Sequence, residues 1–389
     1  MPAFCSSLSN LVLTIGVVLV GIFIVQHTSD FEAEEYSLPK PPKLEGPLAP
    51  NNHLRNAKLL LHGQISGPES ILAEGETLYT GTWDAKLVKI VNGVVEKTMS
   101  LTKRTDCDGS FESEPLCGRP LGIRRLNSQE LIVIDAYLGI FVVDFDKGIS
   151  RQVFSNETEI GGKRSTFFND VDVLDEDMDE IFFTVTSTKW DRRRFAYDFL
   201  SHKPDGFLAR LQLSTGKTEI LVDGLSFANG VQVLPDKKSV IVAECGMARI
   251  WRYYLAGPKK GEKEIFVENL PGMPDNVRLS TTGTVYVGLA ALRHADGFSL
   301  VDNLGSLTWL RKLIVQLVPE RLLTAGFSKA KKKYGIVVEL DTNGKIIGSM
   351  QDPSGQVISD VSQVSDSGRF LYLGSYHAPF IAQVPKKSL

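Results

Sequence analysis

Leu131-Ile132-Val133-Ile134-Asp135, a turn through Ala136–Gly139, and then Ile140-Phe141-Val142-Val143-Asp144-Phe145 decide the fold. Each run is too short for a stable helix and rich in β-branched residues, so the two read as paired strands. Working outward, the same unit recurs. Leu78–Thr82 precedes Lys86–Val91, Ile181–Thr186 precedes Phe207–Leu213, and Val240–Glu244 precedes Arg249–Leu255. Val285–Leu289 precedes Gly335–Leu340, and Phe370–Ser375 precedes Phe380–Val384. The first members of the six pairs start 53, 50, 59, 45 and 85 residues apart. All but the last interval match the repeat of propeller blades. A blade cannot bury both faces alone, so repetition around a channel closes the core. Turn residues at Ser214–Lys217, Thr281–Gly283, Thr342–Gly344 and Asp366–Gly368 punctuate the strands. A sandwich is the competing arrangement, but six similar units over residues 57–389 favour an all-β, six-bladed propeller.

The long last interval holds an insertion, about 293–334. Leu304, Leu307, Leu310, Leu313, Ile314, Leu317 and Val318 fall at helical spacing there, which predicts one or two amphipathic helices. They are read either as a cover over the propeller face or as a mobile lid or membrane-lying element. Residues 30–56, with Pro39, Pro41, Pro42, Pro47 and Pro50, read as an extended stalk.

The first charged side chain is Asp30, and Phe4–Val25 is nearly all apolar. Twenty-two helical residues rise about 33 Å, enough for a hydrocarbon core of about 30 Å. Residues 1–29 are therefore read as an N-terminal transmembrane helix, a signal-anchor. A cleaved signal peptide is the rival, but a basic leader and a clear small-x-small site are missing. With no Lys or Arg before the span, the positive-inside rule is silent on orientation. Asn156-Glu157-Thr158 is a glycosylation sequon, and Cys107 and Cys117 share a short polar loop where a disulfide is expected. Both suit a single-pass type II protein with its propeller on the lumenal or extracellular side, at the plasma membrane or endoplasmic reticulum. An unused sequon and two free thiols are the bland alternatives. Cys5 and Cys245 are read as unpaired. The formal net charge of −3 gives no reason to expect nucleic acid. The basic runs at Lys259-Lys260, Lys331–Lys333 and Lys386-Lys387 are read as solvated loop ends.

Oxygen ligands recur at one phase of the repeat: Glu69 in Gly-Pro-Glu-Ser, Asn169 in Phe-Phe-Asn-Asp, Asn229 in Phe-Ala-Asn-Gly, and Asp275-Asn276 in Met-Pro-Asp-Asn-Val. Each motif alone is an ordinary turn or loop signal. Together, two carboxylates and three amide carbonyls make a hard, all-oxygen set that suits Ca2+.

These motifs, with Cys117–Arg124, Ala243-Glu244, Trp251–Leu255, Gly257–Gly261, Leu270–Gly272 and Ser375–Phe380, resemble the strictosidine-synthase-like propellers over nearly the whole chain. The wider superfamily holds gluconolactonases and paraoxonases, calcium-dependent lactonases and esterases. The resemblance implies that Glu69, Asn169, Asn229, Asp275 and Asn276 bind a catalytic calcium. It also puts Asp170 where paraoxonases hold a second, structural calcium, although Ser70 replaces an acidic residue expected there. Leu121 and Asp135 stand in the places of the paraoxonase His pair. Asp135, Asp275 and His377 are then the candidate proton acceptors, with His294 in the insertion. Glu244 is read as structural. No Gly-x-Ser-x-Gly elbow occurs. The resemblance implies an arylesterase- or lactonase-like enzyme on small esters. A calcium-stabilised binding or scaffold propeller is one alternative. An amine–aldehyde condensing enzyme is another, disfavoured because the condensing enzymes lack the acidic ligand that Asp275 provides.

Overall fold

The computed structural model describes Gly16, Gly21, Phe23 and residues 30–174, 178–293 and 299–386. The predicted span and His294 otherwise lie outside these residues. Among the described residues no helix is long and apolar enough to cross a membrane.

Six sheets of four antiparallel strands form a six-bladed propeller. The paired runs read from the sequence are the second and third strands of each blade, as in Leu131–Asp135 and Gly139–Asp144. The first strands line the axis, and those of the third and fourth blades, Phe167–Val173 and Ala228–Val233, are buried throughout. The outermost strands are mostly exposed, as in Val94–Ser100. Apolar clusters fill the interfaces between blades. One joins Ile132, Ile134 and Ile140 of the second blade to Phe168, Phe183 and Phe207 of the third.

The ring closes with the chain's two ends. The sixth blade has three C-terminal strands, ending in Ile381–Pro385, and takes its outermost strand, Lys58–Leu60, from the N-terminal side. Lys58 pairs with Gln383 and Leu60 with Ile381. The open edge that a three-stranded blade would present is thereby covered.

Residues 30–56 run along the propeller rather than away from it. Phe31, Leu48 and Leu54 are buried. Tyr36 stacks on His202 with ring centroids 3.5 Å apart. The insertion forms Leu300–Asn303, Thr308–Leu317 and Glu320–Ala330. Its apolar side packs on the helix Phe195–Ser201 and on Phe31. The fully buried Arg311 ties the three segments together. Its guanidinium donates to the carbonyls of Leu200 (2.8 Å), Gly305 (2.8 Å) and Glu34 (2.5 Å).

Cys107 and Cys117 form the expected disulfide. Asn156 is half-buried, just beyond the strand Ile149–Ser155.

Candidate metal centre

The repeated motifs share a backbone device. In the second blade Pro120 pairs with Asp135 and Ile123 with Val133, so three steps on the inner strand match two on its partner. The same slip separates Phe168 from Val171, Ala228 from Val231 and Pro274 from Val277. Each is a β-bulge, which bends the strand and re-aims side chains. The bulged residues are Leu121-Gly122, Asn169-Asp170, Asn229-Gly230 and Asp275-Asn276. Glu69 immediately precedes the first blade's inner strand, Ile71–Glu74. Glycines let neighbouring inner segments close up: a Cβ on Gly230 would lie 2.6 Å from the Cα of Asn276, and one on Gly374 2.3 Å from the Glu69 carbonyl oxygen.

Glu69, Asn169, Asn229 and Asp275 line one cavity of about 360 Å³. All four, and Asn276, are at most 6% exposed. The Oδ1 atoms of Asn169, Asn229 and Asn276 are buried without a hydrogen-bond partner. Three orphaned carbonyl oxygens from motifs at one phase of the repeat demand an explanation. Burial pushes the Glu69 carboxyl up despite the Arg119 and Arg192 guanidinium groups. Asp275 is raised strongly, first by burial and then by the Glu69 charge. Two carboxylates that repel, beside three amide oxygens lacking donors, fit a hard divalent cation such as calcium.

The layer beneath is different. Asp170 receives both Nη groups of Arg278, at 2.7 and 2.8 Å, and the Val231 N–H at 2.8 Å. Arg278 also donates to Ser70 Oγ at 3.3 Å, and Arg124 bonds Asp172 at 2.9 Å. A guanidinium thus neutralises Asp170, so these residues do not fit a second cation.

Much of the remaining wall is apolar, although Arg192, Ser299, Lys331, Lys332 and Tyr376 also line it. Phe199 stacks on Phe227 at 4.4 Å and on Phe327 of the insertion at 5.5 Å, with Phe167, Met273 and Val301 alongside. Cys245 also lines the cavity, but burial, followed by the Asp275 charge, holds its thiol protonated.

Two candidate proton acceptors do not line this cavity. The Asp135 Oδ1 accepts the N–H groups of Tyr137 and Leu138 at 2.9 and 3.0 Å, which shapes the turn. Burial pushes Asp135 up to about 7 against those bonds. His377 Nε2 lies 3.0 Å from Asp360 Oδ2, outside the wall. Glu244 is structural, accepting from Ser226 N–H, Arg249 and Trp251 at 3.0, 2.5 and 2.7 Å. Lys331, read as a solvated loop end, instead lines the cavity with Tyr376. Its ammonium has three partners there, which a run of lysines in the sequence does not reveal.

The strictosidine synthase family profile matches residues 169–258, and the strictosidine synthase-like N-terminal profile matches residues 46–90. In fold, the chain is similar to a gluconolactonase from Xanthomonas campestris, with a TM-score of 0.54 at 15% identity over 91% of this chain and 97% of that one. It is similar also to a calcium-binding regucalcin from Agrobacterium tumefaciens, with a TM-score of 0.53 at 11% identity over 84% and 92%. Sequence relatives are much nearer. An adipocyte plasma membrane-associated protein of Salmo salar is 40% identical over 94% of this chain and 86% of its own. The Homo sapiens protein of that name is 38% identical over 96% and 88%. The chain belongs to the adipocyte plasma membrane-associated protein family of strictosidine-synthase-like propellers.

Proposed function

We propose that this protein is a calcium-dependent hydrolase of small, largely apolar esters and lactones, held at a membrane by its N-terminal segment. The observation that carries the reading is the set of three unpartnered amide oxygens and two raised carboxylates, of whose residues Glu69, Asn169, Asn229 and Asp275 line one largely apolar cavity. A bound calcium supplies a Lewis acid for an ester carbonyl. The phenylalanine wall binds an apolar acyl or aryl group and excludes water from its flanks. The gluconolactonase and regucalcin likenesses support this choice of chemistry, and the relatives' name supports the membrane. The disulfide supports an oxidising compartment, hence the lumenal or extracellular side.

The test is hydrolysis of phenyl acetate by the full chain in detergent, with calcium and with EDTA. Turnover is expected to vanish on chelation and in Asp275→Ala. Turnover indifferent to both would sink the mechanism. A second reading, a binding propeller that keeps calcium for stability, draws on Asp135 and His377 lying off the cavity wall. It expects calcium to raise the melting temperature with no turnover at all.

A further inference from the structure

The hydrolase reading leaves the proton carrier unassigned. Lys331 and Tyr376 line the same cavity as Glu69 and Asp275. The Lys331 ammonium donates to the Tyr376 phenol oxygen, to the Ala290 carbonyl at 3.1 Å, and to Asp360 Oδ1 at 2.5 Å. An ammonium has three N–H donors and no lone pair. All three are therefore committed, and Lys331 offers substrate no hydrogen bond of its own. The phenol oxygen accepts from the ammonium, so its own O–H is left to donate elsewhere. No described residue accepts it. Asp360, held ionised by His377 and Lys331 against its burial, fixes the ammonium from behind. His377 thus has a place in the chain, two bonds removed from the cavity.

We propose that Tyr376 is the general acid of the ester- and lactone-cleaving site and that Lys331 is its positioning residue, an inference that rests on the hydrolase reading above. Burial keeps the phenol above its ordinary value although Lys331 pulls it down, so the proton is in place at neutral pH. A donor behind a hydroxyl strengthens the bond that hydroxyl gives. As the tetrahedral intermediate collapses, the acyl C–O bond breaks and its oxygen takes the Tyr376 proton. The hydroxyl proton that came with the attacking water passes to the phenolate. The attacking water's other proton is released to bulk solvent as it adds, so one water is consumed, one carboxylate, one solvent proton and one alcohol form, and Tyr376 is restored.

A general acid matters for a poor leaving group and little for a good one. The experiment compares γ-butyrolactone, which expels an alkoxide, with p-nitrophenyl acetate, which expels an acidic phenol. Tyr376→Phe should lower kcat/KM on the lactone by about 100-fold, within the usual range for such catalysis, and on the nitrophenyl ester by less than about threefold. Lys331→Met should give the same split and Lys331→Arg should recover most of the lactone activity. The calcium-induced rise in melting temperature should be retained by Tyr376→Phe, showing that the fold and metal centre persist. Equal losses on both substrates, or no loss on either, overturn the assignment while leaving the hydrolase reading standing. A wild-type chain inert to both substrates removes that reading, and this role with it.

Discussion

Glu69 and Asp275 occupy one small buried volume, and on the calcium reading proposed above their protonation links pH to calcium. Both carboxyls are raised in the folded protein, mainly by burial. A raised acid holds a proton that the unfolded chain releases. Its contribution to stability is therefore present at low pH and lost as pH rises from the unfolded value toward the folded one. Calcium needs the anions and reverses that loss, displacing protons as it binds. The rise in melting temperature on saturating with calcium should accordingly be larger at pH 8 than at pH 5. Asp275→Asn removes one of the two like charges. The calcium-free variant should melt above calcium-free wild type at pH 7.5, with most of the calcium response gone. A calcium shift independent of pH, measured by differential scanning fluorimetry, would exclude the linkage. The Arg278 site behaves oppositely, because its charge is already matched. Arg278→Met leaves Asp170 buried with only Arg124, at 3.9 Å, to offset its charge, which should cost about 3 kcal/mol in urea unfolding. Adding Asp170→Asn should recover part of it.

At the scale of elements, the second and third strands were legible because apolar, largely β-branched runs dominate most of them, as in Leu131–Asp135 and Gly139–Asp144. The inner strands were not, because Asn, Asp and Gly interrupt them where they bulge. The shared phase and the family resemblance point to the candidate ligands, but the bulge that creates the phase leaves no hydrophobic pattern. Of the one or two helices predicted in the insertion, the periodic residues fall mainly in Thr308–Leu317, and Leu300–Asn303 and Glu320–Ala330 flank it. Tyr376 was quoted within a motif and Lys331 within a basic run, and neither pattern tells of their meeting across 45 residues. The close approach of neighbouring blades makes its own prediction. Gly374 faces the Glu69 carbonyl at 2.3 Å for any added Cβ, a backbone contact that cannot give way cheaply. Gly374→Ala should cost about 1–3 kcal/mol and weaken the calcium response as well. Gly368, at φ +85° with nothing within 4 Å, serves as the control. Gly368→Ala should cost about 1 kcal/mol from backbone strain alone and leave the calcium response intact.

The whole molecule depends on a closure that periodicity could not show. Six equal units predict a ring, but not which strand completes the last blade. Lys58–Leu60 lies beyond the start of the first blade in sequence and is too short to read as a strand on its own. Its pairing partner is more than 300 residues away, as in Leu60 with Ile381. Leu60 joins Leu61, Ile65, Ile71, Tyr372 and Ile381 in one cluster, so it seals the junction of the first and last blades. The candidate metal centre draws Glu69 from the first blade and Asp275-Asn276 from the fifth, so the proposed site requires the ring to be shut. Leu60→Ala should therefore cost about 2–5 kcal/mol and lower calcium affinity in the same variant. Leu322→Ala, at a residue 64% exposed on the insertion, should stay within about 0.5 kcal/mol and bind calcium normally. Urea unfolding and calcium titration of both variants decide the matter. If Leu60→Ala unfolds and binds like the wild type, the N-terminal strand is not what holds the ring and its metal centre together.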